Sequence, residues 1–234
     1  MKRLLILKVF LLFLLTPILA HSQSIAWIGD LGFEADGGLG YKFPVITTTQ
    51  NLQVYLGDRW ELNANFSYDY AHKIGLNSGH ETAEGGGLIF WVTPWFGLNP
   101  TFDYATLTTS AYHKSAWEPD PGIVFRAKPL GLPSRIYVVG SFPVGPKIDA
   151  STGIENENES SVQASWLARM GSPGPFDVWL GFGWGVFHGH EQGNPQCDGT
   201  YGPTTCARTP WTTGNATLTL SFEFPKTRDP NRDW

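Results

Sequence analysis

The 234-residue sequence is poor in the features that mark several common protein classes. After residue 22 no segment offers the roughly eighteen uninterrupted apolar residues that a membrane-spanning helix needs. Charged residues make up only 16% of the chain, and acids outnumber bases by 21 to 16. An acidic chain does not attract nucleic acid or an anionic membrane surface, so neither is expected as the partner. The helix-forming residues Leu, Ala and Glu are not prominent after residue 22.

Cysteine is scarce as well, since the chain has only Cys197 and Cys206. The two lie nine residues apart in a segment rich in Gly, Pro and Thr. Two thiols without further ligands nearby make a poor zinc site. In an exported chain, such a pair typically closes a short loop. We therefore expect a disulfide between Cys197 and Cys206.

Aromatic residues and glycine are abundant. The chain contains 15 Phe, 10 Trp, 8 Tyr and 27 Gly. This mixture suits β-structure with many turns and with an aromatic girdle at a membrane boundary. The mean hydropathy of −0.16 argues against a helical membrane protein. It is compatible with a membrane-spanning barrel, because half of each barrel strand is polar.

Residues 1–22 have the pattern of a targeting signal. Two basic residues open the segment, and an apolar run over 4–15 is interrupted only by Lys8. The small residues Ala20 and Ser22 offer a cleavage site after Ser22, and cleavage after Ala20 is the alternative. The run is too short and too interrupted for an anchor helix, so we expect a cleaved signal peptide. Cleavage after Ser22 removes three bases, which leaves 13 bases against 21 acids and a net charge of −8.

The stretch 60–70 is the clearest strand in the chain. Every second residue from Trp60 to Tyr70 is apolar or aromatic, and the residues between them are Glu, Asn, Ser and Asp. This period-two alternation predicts a β-strand with one apolar and one polar face. A soluble sheet buries its apolar face, whereas a transmembrane barrel turns that face to lipid and the polar face to the lumen.

Similar stretches recur along the mature chain, and their even number, ten, returns both termini to one side. The connectors after even-numbered strands are short and those after odd-numbered strands are long, which is typical of the periplasmic turns and external loops of outer-membrane barrels. The fourth stretch is apolar on both faces, so the sequence does not fix its register. A tight turn is expected at Asn99–Pro100, and polar loops at 73–84, 117–121 and 146–160. The predicted strands are 24–34, 46–56, 60–70, 85–98, 101–113, 122–130, 135–144, 161–170, 176–188 and 215–224.

The predicted fold is all-β. It is a single antiparallel up-and-down transmembrane β-barrel of about ten strands over residues 23–225, followed by a polar periplasmic tail at 226–234. A place in the bacterial outer membrane implies contact with outer-membrane lipid and lipopolysaccharide, and insertion by the barrel-assembly machinery. The competing interpretation is a secreted β-sandwich or soluble barrel, which would not need connectors of alternating length.

The predicted register assigns a set of charged side chains to the lumen. The bases fall on neighbouring strands and the acids on the remaining wall. Opposite charges on facing walls would line a narrow constriction that orients a polar solute. Alternatively they pair across a filled interior, because ten strands leave little more room than eight. The residues expected to line the lumen are Asp30, Glu61, Asp69, Asp103, Arg126, Lys128, Arg135, Arg169, Asp177 and Glu223.

Two short motifs carry a family resemblance. They are Asp-Arg-Trp-Glu-Leu at 58–62 and Ser-Phe-Pro-Val-Gly at 141–145. In these the chain resembles the β-barrel porins linked to the meta-pathway of phenol degradation, whose members show Gly-x-x-Asp-Arg-x-Glu-Leu and Leu-Pro-Thr-Gly. Val144 stands here in place of the Thr. The resemblance implies a passive outer-membrane channel for aromatic or other small hydrophobic solutes, and it supplies no catalytic residues.

Other functions remain open at this point. A non-conducting barrel would act as a structural or adhesive protein through its external loops. A hydrolase at the external rim would pair His72 with Asp69, or His113 with Ser110. The His188 and His190 side chains share one strand face and could chelate a metal, although that spacing is weakly specific. We expect a small-solute channel that is not an enzyme and uses no cofactor or metal.

Overall fold

The computed structural model describes residues 24–36, 44–74, 77–109, 112–150, 156–192 and 209–225. The expected signal peptide at 1–22, the pair Cys197 and Cys206, and the tail at 226–234 lie outside the described residues. Within the described part of the chain, no helix has the length and apolar character needed to cross a membrane.

Thirteen strands and one short 3-10 turn make up the described structure. The 3-10 turn is Pro129–Gly131. The strands are β1 (Ser24–Asp36), β2 (Pro44–Leu56), β3 (Trp60–Ile74), β4 (Asn77–Trp91), β5 (Phe96–Leu98), β6 (Thr101–Thr109), β7 (Tyr112–Asp120), β8 (Gly122–Ala127), β9 (Ser134–Ser141), β10 (Val144–Ala150), β11 (Asn156–Gly171), β12 (Asp177–Gln192) and β13 (Thr209–Phe224).

The strands close into an antiparallel ring with ten positions. The ring runs β1, β2, β3, β4, β5, β8, β9, β11, β12 and β13, and the last of these pairs with β1. Strands β6, β7 and β10 are adjacent in the chain to β5, β8 and β9, respectively. They extend the wall, since β6 pairs with β4, β7 with β6 and β10 with β7. The predicted up-and-down barrel of about ten strands is confirmed.

The pairing register fixes the stagger of the ring. Directly paired residues can be followed once around all ten positions, starting from Leu56 on β2. The path returns to β2 at Pro44, twelve residues from its start. A ten-strand ring with this stagger tilts its strands by about 40° from the barrel axis. Strands of this length and tilt are long enough to cross a bilayer.

The barrel wall is apolar outside and polar inside. On β3 the Trp60 and Phe66 side chains are 43% and 48% exposed, whereas Glu61 between them is only 2% exposed. On β13 Phe222 is 39% exposed and Glu223 is 5% exposed. A soluble barrel would bury the aromatic set and wet the acids, so this distribution fits a wall that faces lipid.

Aromatic side chains stand on the outer wall towards both ends of the barrel. The short connectors, at 57–59, 92–95, 128–133 and 172–176, lie at the end where β1 begins and β13 finishes, which we call the turn end. The opposite end is the loop end. Ring pairs such as Trp60 with Phe90 lie near the turn end, and Tyr104 packs on Trp117 nearer the loop end. Such paired girdles are typical of barrels that cross a membrane.

The expected strand at 85–98 and the expected turn at Asn99–Pro100 are wrong. The chain reverses at 92–95, between β4 and β5, because Pro94 cannot donate to a strand ladder. Thr93 closes this turn, since its hydroxyl accepts a 3.0 Å hydrogen bond from the Phe96 amide. Residues 99–100 instead join β5 to β6 without a reversal.

The polar loops expected at 73–84, 117–121 and 146–160 are largely strand. They contain the end of β3 with the start of β4, the end of β7, and most of β10 with the start of β11. Both faces of these strand segments carry polar residues, so the alternation that marks a membrane strand is absent there. Backbone pairing continues past the apolar band, and the strands are longer than their apolar pattern indicates.

Candidate functional site

A charged cluster crosses the lumen at the turn end. Its centre is Glu61 on β3, whose carboxylate oxygens each lie 2.9 Å from a guanidinium nitrogen, one of Arg126 on β8 and one of Arg135 on β9. In the ring β4 and β5 separate β3 from β8, so these ion pairs join walls that are not adjacent. Gln53 and Trp91 donate further hydrogen bonds to Glu61, at 2.5 and 2.6 Å. We call these five residues the Glu61 cluster.

The local sequence explains why these side chains meet. Glu61 follows the outward-facing Trp60, so strand alternation turns it inward one residue after β3 begins. Arg126 and Arg135 flank the short connector between β8 and β9 and are direct cross-strand partners. Trp91 is the last residue of β4. All of these positions are within a few residues of a turn, which brings them to one level of the barrel.

The geometry of the cluster offsets part of its buried charge. Like charges directly opposite on neighbouring strands destabilise a sheet, and Glu61 lies between the two guanidinium groups. The Arg126 guanidinium carbon also lies 3.5 Å from the centre of the Trp91 ring, which is a cation–π contact. Arg126 and Glu61 side chains are 1% and 2% exposed. A buried carboxylate with this many charge-assisted hydrogen bonds is held firmly in place.

Apolar side chains fill the lumen beside the cluster. Ile89, Trp91 and Val124 are buried against one another, and Tyr137 packs on them. Gly97 on β5 leaves room for this group, since a Cβ there would lie 3.1 Å from both Trp91 and Val124. The turn end therefore combines ion pairs with close packing. Of the two arrangements weighed for the lumen charges, Glu61, Arg126 and Arg135 adopt pairing across the interior.

Polar groups of β1, β12 and β13 line the other side of the lumen at this level. The Trp179 indole donates a 3.2 Å hydrogen bond to Glu223. The Ser221 hydroxyl donates to Asp30, and the Ser172 hydroxyl donates to Asp177, which is fully buried. Each of these three inward-facing carboxylates therefore accepts a hydrogen bond from a neighbour on its own side of the barrel.

The described residues line a lower and an upper cavity in the lumen. The lower cavity, of about 240 Å³, is bordered by Arg135 from the cluster and by Asp30 and Glu223 opposite it. Amide, aromatic, aliphatic and hydroxyl side chains complete its lining, namely Asn51, Gln53, Asn63, Asn99, Tyr55, Tyr137, Trp179, Ile28, Ile89, Leu167 and Ser221. The upper cavity, of about 450 Å³, lies towards the loop end. Its charged lining residues among those described are Asp69, Glu81, Glu118 and Asp120.

The residues expected in the lumen fall into three groups. Glu61, Arg126 and Arg135 are brought together in the cluster, and Asp30, Asp69 and Glu223 border the cavities. Asp103 on β6, Arg169 on β11 and Asp177 on β12 are half-buried or buried. Lys128 is placed differently: it is exposed in the turn, because β8 ends at Ala127 and Pro129 starts the 3-10 turn.

Sequence reasoning missed several residues of the lumen. Glu81, Glu118 and Asp120 line the upper cavity, although their segments were expected to be polar loops. Trp91 was hidden by the ambiguous register of a stretch that is apolar on both faces. Gln53 faces inward on β2 opposite Asn63, and strand parity alone gives its direction but no sign of its partner Glu61. Asn99 was assigned to a turn, although it borders the lower cavity.

The histidines near the loop end have ordinary neighbours. The His113 ring nitrogen lies 2.9 Å from the Thr108 hydroxyl, and His188 is at the same distance from Thr212. The His80 ring stacks on Tyr68 at 6.0 Å. In the part of the chain that the structure describes, no three His, Cys, Asp or Glu side chains converge on a point where a metal ion could bind. Ser110 and the His72 and His190 side chains fall outside that part.

No family model matches the sequence, and no curated protein matches it. Solved structures resemble the fold. The siderophore receptor PirA from Pseudomonas aeruginosa matches 84% of this chain with a TM-score of 0.37 and 10% identity, and the chain spans 34% of that receptor. The β domain of the Bordetella autotransporter BrkA matches 87% of this chain and 99% of its own, with a TM-score of 0.44 and 8% identity. The translocator domain of the autotransporter NalP from Neisseria meningitidis matches 93% of this chain and 94% of its own, with a TM-score of 0.51 and 9% identity. The likeness to the NalP domain shows that this chain has the fold of an outer-membrane β-barrel.

Proposed function

We propose that the protein is a narrow channel of the bacterial outer membrane for small polar solutes, shut at its turn end by the Glu61 cluster. The observation that carries the proposal is that Glu61 forms ion pairs with both Arg126 and Arg135, which join parts of the wall that are not adjacent. The cluster borders a lower cavity of mixed polar and apolar lining, and a more polar upper cavity lies towards the loop end. A solute that enters from the loop end meets a cavity wall rich in hydrogen-bonding groups before it meets the cluster.

The polar lining favours polar over hydrophobic solutes. The family resemblance suggested aromatic or hydrophobic compounds, but both cavities are bordered by carboxylates and amides. Transfer of an apolar solute into such a site leaves polar groups without partners, which costs free energy. The proposal keeps the passive transport that the resemblance implied and changes the class of solute. It assigns no catalysis to the chain.

The same cluster also supports a second candidate. In this candidate the charges stay paired across the lumen and the barrel does not conduct. The protein then acts through its loops as a structural or adhesive protein. The two candidates differ in whether the cluster can part under ordinary conditions. Buried ion pairs are costly to break, so a channel built this way opens rarely.

Single-channel recording in planar bilayers separates the candidates. We expect the purified wild-type chain to be silent for most of the record, with brief openings. Glu61→Ala removes the centre of the cluster and leaves two like charges that repel, so it should give frequent or lasting conductance steps. Glu81→Ala is the matched control, since it makes the same change in the upper cavity away from the cluster.

The outcome depends on folded protein, so each variant is first checked by heat-modifiable migration in gels. Folded Glu61→Ala protein that shows no conductance, together with silent wild-type protein, would contradict the channel and favour the non-conducting barrel. Liposome swelling with neutral sugars gives an independent measure of solute flux through the same variants.

A further inference from the structure

Side-chain oxygens without hydrogen-bond partners follow one wall of the lumen. Eight buried side-chain atoms of the described residues lack a partner, and five of them are oxygens on the wall formed by β3, β6, β7 and the β5–β6 link. We call these five residues the oxygen row. The oxygen row is Asn63, Asn65, Asn99, Asp103 and Asp120.

Glycines on β4 bring the members of the oxygen row together. Gly85 pairs with Asn65 on one side and with Asp103 on the other, so the strand between them carries no side chain at that level. A hydrogen bond joins the Asn65 and Asp103 side chains across this gap, yet each keeps one oxygen without a partner. Gly87 likewise pairs with Asn63 on one side and with Thr101 on the other, and Thr101 pairs in turn with Asp120.

Asn99 connects the oxygen row to the lower cavity. This residue is 6% exposed, borders the cavity, and has an Oδ1 atom with no hydrogen-bond partner. A buried carbonyl oxygen in that state costs free energy until a donor reaches it. Asp120, at the other end of the row, borders the upper cavity. The row therefore runs from one cavity to the other.

The charges of the cavity walls have one predominant sign. Among the described residues that line either cavity, six are carboxylates and one is a guanidinium. The guanidinium is Arg135, which is already bound to Glu61. A ligand that supplies hydrogen-bond donors and positive charge complements these cavity walls.

We infer that the lumen binds linear organic cations that carry two or more ammonium groups. Each ammonium group has only donors, which match the unpartnered oxygens. Neighbouring inward residues of one strand, such as Asn63 and Asn65, are about 7 Å apart, so a flexible diamine can reach two levels of the row. Among the described residues no three His, Cys, Asp or Glu side chains converge on one point, which disfavours a single metal ion.

The inference deepens the proposed channel, since it names the class of solute that the channel would take. Its test measures binding and does not need conduction. Isothermal titration of the folded full chain in detergent compares 1,5-diaminopentane with 1,5-pentanediol and glutarate, which share its length but carry no charge or negative charge. We expect the diamine to bind and the other two compounds to bind at least tenfold more weakly or not at all.

Variants locate the site. The double variant Asp103→Asn with Asp120→Asn removes two charges from the row, and we expect diamine affinity to fall by roughly tenfold or more, as for the loss of charge-assisted hydrogen bonds. Asp58→Asn, in the exposed turn after β2, is the control and should bind as the wild type does. Equal binding of the diol, tighter binding of glutarate, or unchanged diamine affinity in the folded double variant would each overturn the inference. If the protein does not conduct, the binding assay still tests the diamine site. If the diamine does not bind, the conductance and swelling measurements still test the channel for neutral solutes.

Discussion

Arg126 and Arg135 face each other directly across strands β8 and β9 on the inner wall of the barrel. The pairing would repel in isolation, and it is tolerated because the Glu61 carboxylate lies 2.9 Å from each of the two side chains. Removal of Glu61 therefore leaves two like charges facing each other, whereas removal of either arginine leaves the other ion pair with Glu61 in place. Several measurable consequences rest on this arrangement and on the wall around it.

Removal of Glu61 should destabilise the barrel more than removal of the whole charged group. Glu61→Gln removes the carboxylate that both guanidinium groups share, and we expect the free energy of unfolding to fall by about 3–5 kcal/mol. The triple variant Glu61→Leu, Arg126→Met and Arg135→Met keeps similar volume without charge, so it should lose much less. Denaturant unfolding in lipid vesicles measures both. A triple variant that is as unstable as the single one would contradict this account.

Trp91 contributes through its indole nitrogen as well as through its ring. Trp91→Phe keeps an aromatic ring beside Arg126 but removes the 2.6 Å hydrogen bond to Glu61. The loss of a hydrogen bond to a charged group should lower the free energy of unfolding by about 1.5–3 kcal/mol. Trp95→Phe is the matched control, because Trp95 is 59% exposed in the nearby turn and should change stability little. Equal effects of the two substitutions would show that the bond to Glu61 adds nothing.

Glu84 is an acid on the outer, lipid-facing wall. It is exposed, and its cross-strand partners are Phe66 and Tyr104, of which Phe66 faces outward with 48% of its surface exposed. Acids on the lipid face of a barrel are mildly unfavourable, so Glu84→Leu should raise the free energy of unfolding by up to about 1 kcal/mol. Glu81→Leu, on the inner face of the same strand, should give no such gain. Unfolding in lipid vesicles measures the stability of the two variants. Destabilisation by Glu84→Leu would show that Glu84 contacts something other than lipid.

Gly85 has no room for a side chain. A Cβ there would meet the Asp103 carboxylate and the Phe102 carbonyl oxygen, and the latter belongs to the backbone and cannot move aside. Gly85→Ala should therefore lower the free energy of unfolding by about 1–3 kcal/mol, as overpacking does. Gly171→Ala provides the comparison, because a Cβ at that position has no neighbour within 4 Å. A Gly85→Ala barrel as stable as the Gly171→Ala barrel would mean that the β4 backbone shifts freely.

Much of the fold was predictable because lipid imposes a strict pattern on the wall. The alternation of Trp60 to Tyr70, and the outward direction of Leu180 and Phe222, follow from period-two periodicity alone. Strand ends were less predictable, since the ladder continues into polar segments where both faces are wet. The turn at 92–95 was missed because Pro94 lies in an apolar run that gave no sign of a reversal.

The site was predictable only in part, for a different reason. Parity along each strand gives the inward direction of Glu61, Arg126 and Arg135. The meeting of β3 with β8 and β9 across the lumen depends on the stagger of the ring, which single strands do not encode. The unpartnered oxygen of Asn99 depends likewise on a break between β5 and β6. The signal peptide and the Cys197–Cys206 disulfide stay predictions.

The seam between β1 and β13 has a mechanical consequence. In the closed ring each of the ten tilted strands is hydrogen-bonded to the next, with an offset of twelve residues per circuit, so the ring has a fixed circumference at the turn end. This ring cannot widen to admit a larger solute unless backbone hydrogen bonds between strands break. Any change in the diameter of the lumen must therefore come from movement of the side chains inside it, while the backbone of the wall keeps its shape.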